Sequence, residues 1–506
     1  MISRNDSALT QAGVIAVLLI TFWLGHAKAQ FSAANIAELQ AGNLPYTEPS
    51  DLTTLYDQLN LSYQYRALRA SARFELFQGA GADIDYAEIT QRALRFGNDR
   101  LSFTAGNFYE LFGRGLLLRT YEIPGTMIED VGLRTRYGFY RDVDGFLLKY
   151  QTSLFEVKAL RGRPLFNTLP PTFSYSDRHP SLLHGMEANI HFLENWSAGG
   201  AYLHNSREGE TARYSTVFVS GNLSSAIQLY SEFAQQLGEG NELFDFSDGS
   251  AHAFYASANY ASGPFGLSLE GKDYNNFTLF FNDPPPLVRE HSYTVLNRST
   301  HILQPRNETG WQAEAFLRTS AGHTLTANAT RAENNFGMKT VFREYFAEFE
   351  YLIDAQTSVK AFADRSEDPF NLEENRNAAG LYLQKEWPKN WGTILDVEFQ
   401  EFDRMLSPVQ KVENYYAALA LSHAPRLATA VIWERTTDPL LTDDPRTDPL
   451  ETGLRYWLAG TLSYQIKQHL VSMFYGKRRG GPACTSGICY EVLDFEGFEL
   501  RITSNF

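Results

Sequence analysis

The chain has two cysteines, Cys484 and Cys489, separated by Thr-Ser-Gly-Ile. Two thiols at this spacing could form a disulfide, a redox pair or part of a metal site. A structural zinc site needs about four protein ligands, and no further cysteine or histidine accompanies this pair. We therefore predict a disulfide between Cys484 and Cys489 that stiffens an exposed loop, with a metal or redox pair as the alternative.

Two other stretches combine charged residues with glycine or proline. In GNFYELFGRGLLLRTYE, residues 106–122, the charged residues Glu110, Arg114 and Arg119 flank apolar residues. This stretch lacks the Gly-x4-Gly-Lys-Ser/Thr pattern of a nucleotide-binding loop. Its glycines favour a structural role, such as a bulge, and the functional alternative is a charged constriction.

The second stretch contains Pro284-Pro285-Pro286, which cannot lie in a central strand. Arg289, Glu290 and His291 follow these prolines. We predict either a rigid external loop or an inward-folded segment. Arg289 and Glu290 would then line a permeation path, or they would form salt bridges at the base of a loop.

Neither catalysis nor metal binding has a recognisable motif. Four histidines and two serines fall in one region, and no nucleophile elbow connects them: His179, His184, His191, His204, Ser181 and Ser197. Acidic residues recur at 367–368, 373–374, 443–444 and 448, and none of these groups completes a calcium loop. We therefore predict no enzymatic activity, no cofactor and no metal site, and calcium binding by the acidic loops stays open.

The elements that position these residues are predicted to be strands. Polar and apolar residues alternate with period two in segments such as 68–76, 393–400 and 454–466. After residue 29, no stretch has the roughly 20 consecutive apolar residues of a membrane helix. Aromatic residues make up 14% of the chain, which suits the aromatic girdles of membrane barrels.

The connections between these segments fall into two alternating classes. Short turns are predicted at 194–197, 262–265, 319–323, 354–357, 387–391, 423–426 and 467–469. Longer polar loops are predicted at 236–250, 282–290, 334–340, 366–375, 404–411, 436–452 and 476–490. This asymmetry predicts an all-β, transmembrane, antiparallel outer-membrane β-barrel of about 18 to 26 strands, with short periplasmic turns and long extracellular loops.

The N-terminal region is predicted to carry the export signal. Residues 1–29 combine an apolar run with the small-x-small pattern Ala27-Lys28-Ala29, which indicates a cleaved signal peptide; a membrane anchor is the alternative. Residues 30–54 are expected to form a short periplasmic segment with a helical turn near 33–39. Residues 55–506 would then form one barrel in the outer membrane of a Gram-negative cell.

The last residues alternate in the same way. Phe498, Leu500, Ile502 and Phe506 share one predicted face, and charged or polar residues occupy the other. A final amphipathic strand that ends in an aromatic residue is typical of substrates of the barrel assembly machinery. We therefore expect that machinery to be a partner.

Three stretches of the chain resemble an uncharacterised outer-membrane barrel family of Bacteroidota, a domain of unknown function. They are GNFYELFGRGLLLRTYE, NDPPPLVREHSYTVLNRSTH and the ending from GKRRGG through CTSGICYEVLDFEGFELRITSNF. The resemblance implies an outer-membrane location. It brings no catalytic or ligand-binding residue with it.

Function is predicted from this architecture. A formal net charge of −15 disfavours a nucleic-acid partner. We expect a pore or transporter for small solutes, with outer-membrane lipid and lipopolysaccharide as surroundings. The alternative is a structural barrel whose extracellular loops dock secretion or surface-assembly partners. The basic stretch Lys477-Arg478-Arg479 could contact a lipopolysaccharide head group, although a solvated loop base explains it more simply.

Overall fold

The computed structural model describes residues 30–45, 50–79, 85–129, 135–165, 178, 180–238, 251–285, 288–302, 306–335, 337–442, 454–485 and 488–506. These residues form a sheet of 24 antiparallel strands that closes on itself, because the last strand pairs with the first. The predicted barrel is confirmed, and its strand number lies inside the expected range. The predicted signal peptide, residues 1–29, lies outside the described residues.

Thirty strands are described, of which β6–β9, β28 and β29 form three separate hairpins. Their bounds are β1 Gln30–Asn43, β2 Thr54–Tyr65, β3 Leu68–Gln78, β4 Tyr86–Gly97, β5 Leu101–Phe108, β6 Leu111–Phe112, β7 Leu118–Arg119, β8 Tyr121–Glu129, β9 Arg136–Arg141, β10 Val143–Gln151, β11 Phe155–Pro164, β12 Ser181–Leu193, β13 Trp196–Arg207, β14 Glu210–Ser224, β15 Ile227–Leu237, β16 His252–Ser262, β17 Phe265–Asn275, β18 Asn307–Arg318, β19 Thr324–Asn335, β20 Lys339–Asp354, β21 Thr357–Asp368, β22 Glu373–Trp387, β23 Trp391–Arg404, β24 Gln410–His423, β25 Leu427–Thr436, β26 Arg455–Ile466, β27 His469–Arg478, β28 Gly481–Thr485, β29 Ile488–Val492 and β30 Phe495–Asn505.

Helices are short. α1 spans Thr294–Asn297 and α2 spans Pro439–Thr442, and single 3₁₀ turns occupy Pro369–Asn371 and Pro388–Asn390. Among the described residues, none of the helices has the length and apolar character required to cross a bilayer.

The strand β1 corrects the expectation for residues 30–54. Residues 30–43 are part of the barrel wall and not a periplasmic segment with a helical turn. β1 pairs with β2 along eleven positions, from Gln30–Gln64 to Gln40–Thr54, and with β30 on its other side. A barrel without this strand would expose unpaired N–H and C=O groups to lipid, which a membrane does not tolerate.

The period-two alternation divides every barrel strand into an outer and an inner face. Large apolar side chains such as Val431, Leu458 and Ile190 are exposed on the outer face. Exposed outer aromatics lie beside the short turns, as in a membrane girdle: Tyr65, Phe96, Phe155, Phe192, Phe265, Tyr351, Trp387, Trp391, Tyr464 and Phe506. The inner face carries mainly polar side chains, many of them buried.

The connections confirm the predicted asymmetry. All of the seven predicted short turns are found at one end of the barrel, where β1 begins and β30 ends. The other end carries the longer connections, apart from the two-residue turn Glu208-Gly209 between β13 and β14, and three of the longer connections fold into the lumen. In their described residues, the first inserted segment comprises 109–129 and 135–142 between β5 and β10. The second comprises 276–285, 288–302 and 306 between β17 and β18, and the third comprises 479–485 and 488–494 between β27 and β30.

The inserted segments share apolar cores with the inner face of the wall. In the largest core, Leu116, Leu117 and Leu118 of the first segment pack with Phe277 and Phe281 of the second. This core extends to inner-face residues of β10 to β17, including Leu147, Leu183, Leu203, Ala234 and Tyr274. A second core joins Tyr293, Val295 and Leu296 to the wall residues Phe346, Phe362 and Ala378. The three inserted segments therefore form an internal plug in the long-loop half of the barrel.

Candidate functional site

Glu110 anchors the start of the first inserted segment to the wall. Its carboxylate lies 2.5 Å from Lys149 Nζ on β10 and 3.4 Å from Lys158 Nζ on β11. Lys158 also pairs with Glu187 on β12, at 2.8 Å. Glu187 in turn accepts the backbone N–H of Gly113, at 2.7 Å. Two acids and two lysines thus neutralise one another where the segment leaves the wall.

Arg114 lies at the tight turn between β6 and β7. Its backbone N–H donates to Glu232 on β15 at 2.7 Å, and its guanidinium lies 4.5 Å from the ring centre of Tyr230. Gly113 has a φ of +53°, a conformation that glycine adopts readily. A Cβ at this position would lie 2.5 Å from a carboxylate oxygen of Glu232. Both the positive φ of the turn and the closeness of this wall carboxylate therefore require glycine at position 113.

Arg119 connects the first two inserted segments. Its backbone N–H donates to Asn282 Oδ1 at 2.6 Å, and Asn282 Nδ2 donates to the backbone carbonyls of Gly115 and Leu116. Burial lowers the pKa of Arg119, although the charge of Asp283 opposes this shift. Asp283 also accepts a hydrogen bond from the Tyr121 hydroxyl at 3.1 Å and forms an ion pair with Arg141 at 2.9 Å. One short polar stretch, Asn282-Asp283, therefore binds both hairpins of the first segment.

Arg289 and Glu290 lie in the second inserted segment, which shows the inward-folded alternative of the sequence analysis. Arg289 pairs with Glu314 on β18, and its guanidinium lies 4.6 Å from the ring centre of Phe346 on β20. Glu290 is exposed near Tyr490 of the third segment, and its charge raises the pKa of Tyr490 after the larger effect of burial. A role of these two residues, or of Glu110, Arg114 and Arg119, in a constriction stays a prediction.

Around α1, the second segment is attached to the wall by hydrogen bonds and an ion pair. Glu398 on β23 accepts the backbone N–H groups of Thr294 and Val295 at 3.0 and 2.8 Å, so a wall carboxylate caps this helical turn. Gln400, two residues further, donates to the Val295 carbonyl at 3.1 Å. Arg298 pairs with Glu434 on β25.

A buried chain of charges follows at the end of the second segment. His301 lies 2.9 Å from Asp368 on β21 and 3.5 Å from Glu308 on β18, and Glu308 also pairs with Lys272 on β17. Burial opposes the charged form of His301. The hydrogen bonds and charges of the two carboxylates outweigh this effect and raise the pKa of His301 to about 9.

The third inserted segment contains the predicted disulfide. Cys484 and Cys489 are bonded and pair across the β28–β29 hairpin. The expectation of an exposed loop is wrong, because Cys484 is buried against α1 and Tyr490 packs on Phe139 of the first segment. Within the basic stretch 477–479, Arg479 is likewise not part of a solvated loop base. Arg479 stacks on Trp457, and its burial lowers its pKa to about 10.

In two of the acidic pairs, 367–368 and 373–374, one residue is buried. Asp368 and Glu373 are buried inner-face residues at the long-loop ends of β21 and β22. Asp368 pairs with His301, and Glu373 pairs with Arg376 at 2.9 Å and Arg404 at 3.5 Å. Asp368 fastens the plug to the wall, and Glu373 connects two neighbouring wall strands. Residues 443–444 and 448 lie outside the described residues.

The last strand has the predicted faces. Leu500 pairs with Leu39 and Ile502 with Ala37 on the outer face, and Phe498 and Phe506 share that phase. Opposite them, Arg501 donates to Glu38 at 2.5 Å inside the barrel. The assembly role of Phe498, Leu500, Ile502 and Phe506 stays a prediction.

A cavity of about 620 Å³ lies against the inner wall of β1 to β5 and β10, toward the short-turn end. Its lining includes Arg69, Arg73, Arg95 and Lys149, and no acidic side chain of the described residues joins them. Arg69 donates to the Ser62 hydroxyl at 3.3 Å. Among the described residues, Arg69 and Arg95 have no acidic partner within 4 Å, so they keep their charges available to a solute.

The opposite wall is acidic. Without β6–β9, β20 is the sixteenth barrel strand and β4 the fourth, and their separation of twelve is half of the 24 strands. On that side, Glu348 and Glu350 of β20 and Asp396 of β23 lie on the inner face, and one basic residue, Lys360 of β21, lies 3.9 Å from Glu350. The lumen therefore has a basic and an acidic wall, an arrangement that can orient and select charged solutes.

The sequence did not single out Glu187, Glu232 and Glu398, the wall carboxylates that accept backbone N–H groups of the plug. In the sequence, these residues could be recognised only as acidic residues at the polar, inward-facing positions of regular strands. An acidic residue on this phase suits either a water-filled lumen or a buried contact, so the pattern alone could not separate the two.

Several solved structures resemble this barrel. The translocation pore of the P pilus usher PapC is 10% identical, with a TM-score of 0.46, and the match covers 94% of this chain and 99% of that one. OccK5 (OpdH) from Pseudomonas aeruginosa is 11% identical, with a TM-score of 0.37 and coverages of 74% and 97%. Wzi, a carbohydrate-binding β-barrel from Escherichia coli involved in group 1 capsule assembly, is 8% identical, with a TM-score of 0.34 and coverages of 70% and 83%.

These likenesses carry no information about solute or partner. No curated protein matches the sequence. The sequence profile of the family of unknown function DUF6029 matches residues 23–407, a range that contains the first two of the three resembling stretches. The chain belongs to the DUF6029 family.

Proposed function

We propose that this protein is an outer-membrane pore for small polar solutes, narrowed by the plug of three inserted segments. Its short turns face the periplasm and its long connections face outward, after removal of residues 1–29 as a signal peptide. The observation that carries the proposal is the charged cavity beside the plug, with Arg69 and Arg95 on its wall. Lipid and lipopolysaccharide surround the apolar outer face.

The wall charges support a solute that is polar and at least partly anionic. Arg69 and Arg95 approach the lumen from β3 and β4, near the short turns. A solute that enters from this end meets them before it reaches Tyr109 and Phe108, which border the cavity toward the plug. Glu110, Arg114, Arg119, Arg289 and Glu290 are the charged residues that we assign to the constriction.

Planar-bilayer recording of the purified protein tests the proposal. We expect small, steady single-channel conductance with anion preference. A variant in which a short Gly-Ser linker replaces the β6–β7 turn, residues 111–119, should conduct several times more current. The double variant Arg69→Gln, Arg95→Gln should lose anion preference, and Arg66→Gln, in the turn between β2 and β3, should not.

Circular dichroism and heat-modifiable migration on gels establish that each variant retains the barrel. If neither the native protein nor the linker variant conducts while both are folded, the pore is refuted. That outcome would favour the second candidate, a structural barrel that docks surface-assembly partners. The observation that favours this candidate is the apolar packing of the plug against the wall, and copurified partner chains would support it.

A further inference from the structure

A second polar cluster lies deep in the plug, away from the cavity. His291 comes from the second inserted segment, Glu344 from β20 and Asp364 from β21. One ligand atom of each residue lies within 4.8 Å of the others. The three residues are 3%, 2% and 4% exposed, so bulk water does not solvate them.

The cluster has unused binding capacity. His291 Nδ1, Glu344 Oε2 and Asp364 Oδ2 are buried, and no described residue forms a hydrogen bond with them. His291 Nε2 lies 3.1 Å from Glu344 Oε1, and the contact lacks hydrogen-bond geometry. A buried polar atom without a partner destabilises the fold, so three such atoms at one point indicate a ligand.

The charges point to a cation. Arg376 lies 3.6 Å from Glu344, 4.0 Å from Asp364 and 2.9 Å from Glu373, so one guanidinium serves three carboxylates. Its neighbour Arg404 pairs with Glu373 and Asp438. Four carboxylates and two arginines leave a net charge of −2 for this group of described residues, and a divalent cation would neutralise it.

We propose that His291, Glu344 and Asp364 bind a divalent transition-metal ion, with Zn²⁺ as the first candidate, and that this ion fastens the second inserted segment to the barrel wall. One imidazole and two carboxylates are a donor set that zinc accepts, and water would supply the fourth ligand. Ligands of a tetrahedral zinc ion lie roughly 3.3 Å apart, given metal–ligand distances of about 2.0–2.2 Å. The 3.1 Å between His291 Nε2 and Glu344 Oε1 is close to this spacing.

Neighbouring residues hold two of the ligands in place. The Ser366 hydroxyl donates to Asp364 Oδ1 at 3.0 Å, which leaves Oδ2 for the ion. The Phe346 ring packs 4.7 Å from the imidazole of His291. Such supporting contacts orient metal ligands in proteins.

Metal analysis of the full-length protein in detergent, purified without a polyhistidine tag, tests the proposal. The protein is stripped with EDTA, loaded with Zn²⁺ or Co²⁺ and desalted. We expect one zinc ion per chain, and visible absorption bands of Co²⁺ in a tetrahedral site. Glu344→Gln and Asp364→Asn keep the side-chain shape and should each weaken binding by more than the roughly 10–100-fold that loss of a supporting contact costs.

Glu348→Gln is the matched control, because Glu348 lies four residues from Glu344 on the same face of β20 and accepts a hydrogen bond from the Tyr293 hydroxyl at 2.6 Å. It should bind zinc like the native protein. The proposal is overturned if the folded native protein retains no zinc, or if Glu344→Gln and Asp364→Asn retain as much as the native protein. This result does not depend on conductance, so it is separate from the test of the pore.

Discussion

Asn297 and Cys484 are joined by two hydrogen bonds between segments that are 187 residues apart in the chain. Asn297 Nδ2 donates to the Cys484 carbonyl at 2.9 Å, and the Cys484 N–H donates to Asn297 Oδ1 at 3.1 Å. The same amide also donates to the His291 carbonyl at 2.9 Å. One side chain at the end of α1 therefore holds the disulfide hairpin against the second inserted segment.

Asn297→Ala should loosen this hairpin without opening the barrel. The substitution leaves the Cys484 N–H and carbonyl without partners, at a cost of about 1–3 kcal/mol. Hydrogen exchange of residues 481–485 and 488–492 should become faster, while exchange in β20 to β24 stays unchanged. Asn98→Ala, in the short turn between β4 and β5, is the control, and equal acceleration of the hairpin in both variants would contradict the link.

Gly113→Ala should displace the turn between β6 and β7. A Cβ at Gly113 would meet the Glu232 carboxylate at 2.5 Å, and the displaced carboxylate would lose its bond from the Arg114 N–H. Gly125, in the same inserted segment, also has a positive φ and has nothing within 4 Å of its added Cβ. Gly125→Ala therefore shares the backbone strain and lacks the clash.

We expect Gly113→Ala to increase proteolysis of the first inserted segment several-fold more than Gly125→Ala. Limited digestion of the purified barrel, with mass analysis of the fragments, measures this difference. Equal digestion of the two variants would show that the contact with Glu232 does not hold the turn.

The sequence predicted the wall of this barrel because alternation is a local property. The strands around residues 454–466 and 498–506 show their faces directly in their residue types, and the turns between them follow. The same signal is weak in β1, where Ala33, Ala34, Ala37 and Ala41 are compatible with helix or strand. That strand is specified by its pairing with β2 and β30, which no local pattern contains.

The plug could be predicted only in part. Pro284-Pro285-Pro286 excluded a central strand and left an inward-folded segment as one alternative. The attachments of that segment to Glu398, Asp368 and Arg376 join residues distant in sequence. Alternation shows that these side chains face inward. It does not show whether water or a folded segment lies opposite them.

Val431→Arg should destabilise the barrel by placing a charge in lipid. Val431 is 56% exposed on the outer face of β25, flanked by Leu419 and Gly460 on the neighbouring strands. An arginine facing lipid near the middle of a bilayer costs about 2–4 kcal/mol. Ala430→Arg, one residue earlier, faces the lumen and should cost much less.

Thermal unfolding of both variants in lipid vesicles measures the difference. A larger loss of thermal stability for Ala430→Arg than for Val431→Arg would reverse the assignment of the outer and inner faces of β25.

The attachment of the second inserted segment should weaken at alkaline pH through His301. The pKa of this residue is raised from 6.5 to about 9, since Asp368 and Glu308 favour its charged form despite burial. A pKa raised in the folded state stabilises that state fully below the unfolded pKa, here near 6.5. The stabilisation declines as the pH rises above 6.5 and is lost once the pH has passed about 9. The free energy of unfolding lost over this range is about 3 kcal/mol.

Hydrogen exchange of residues 294–302, recorded between pH 6 and 10 and corrected for the intrinsic effect of pH, measures this loss. The native protein should open more readily as the pH rises through 9, whereas His301→Gln should be less protected at pH 6 and show little further change. His423 packs against Trp391 in a short turn outside the plug, and His423→Gln should therefore behave like the native protein. A native profile that is flat over this range would mean that His301 is not charged in its contact with Asp368.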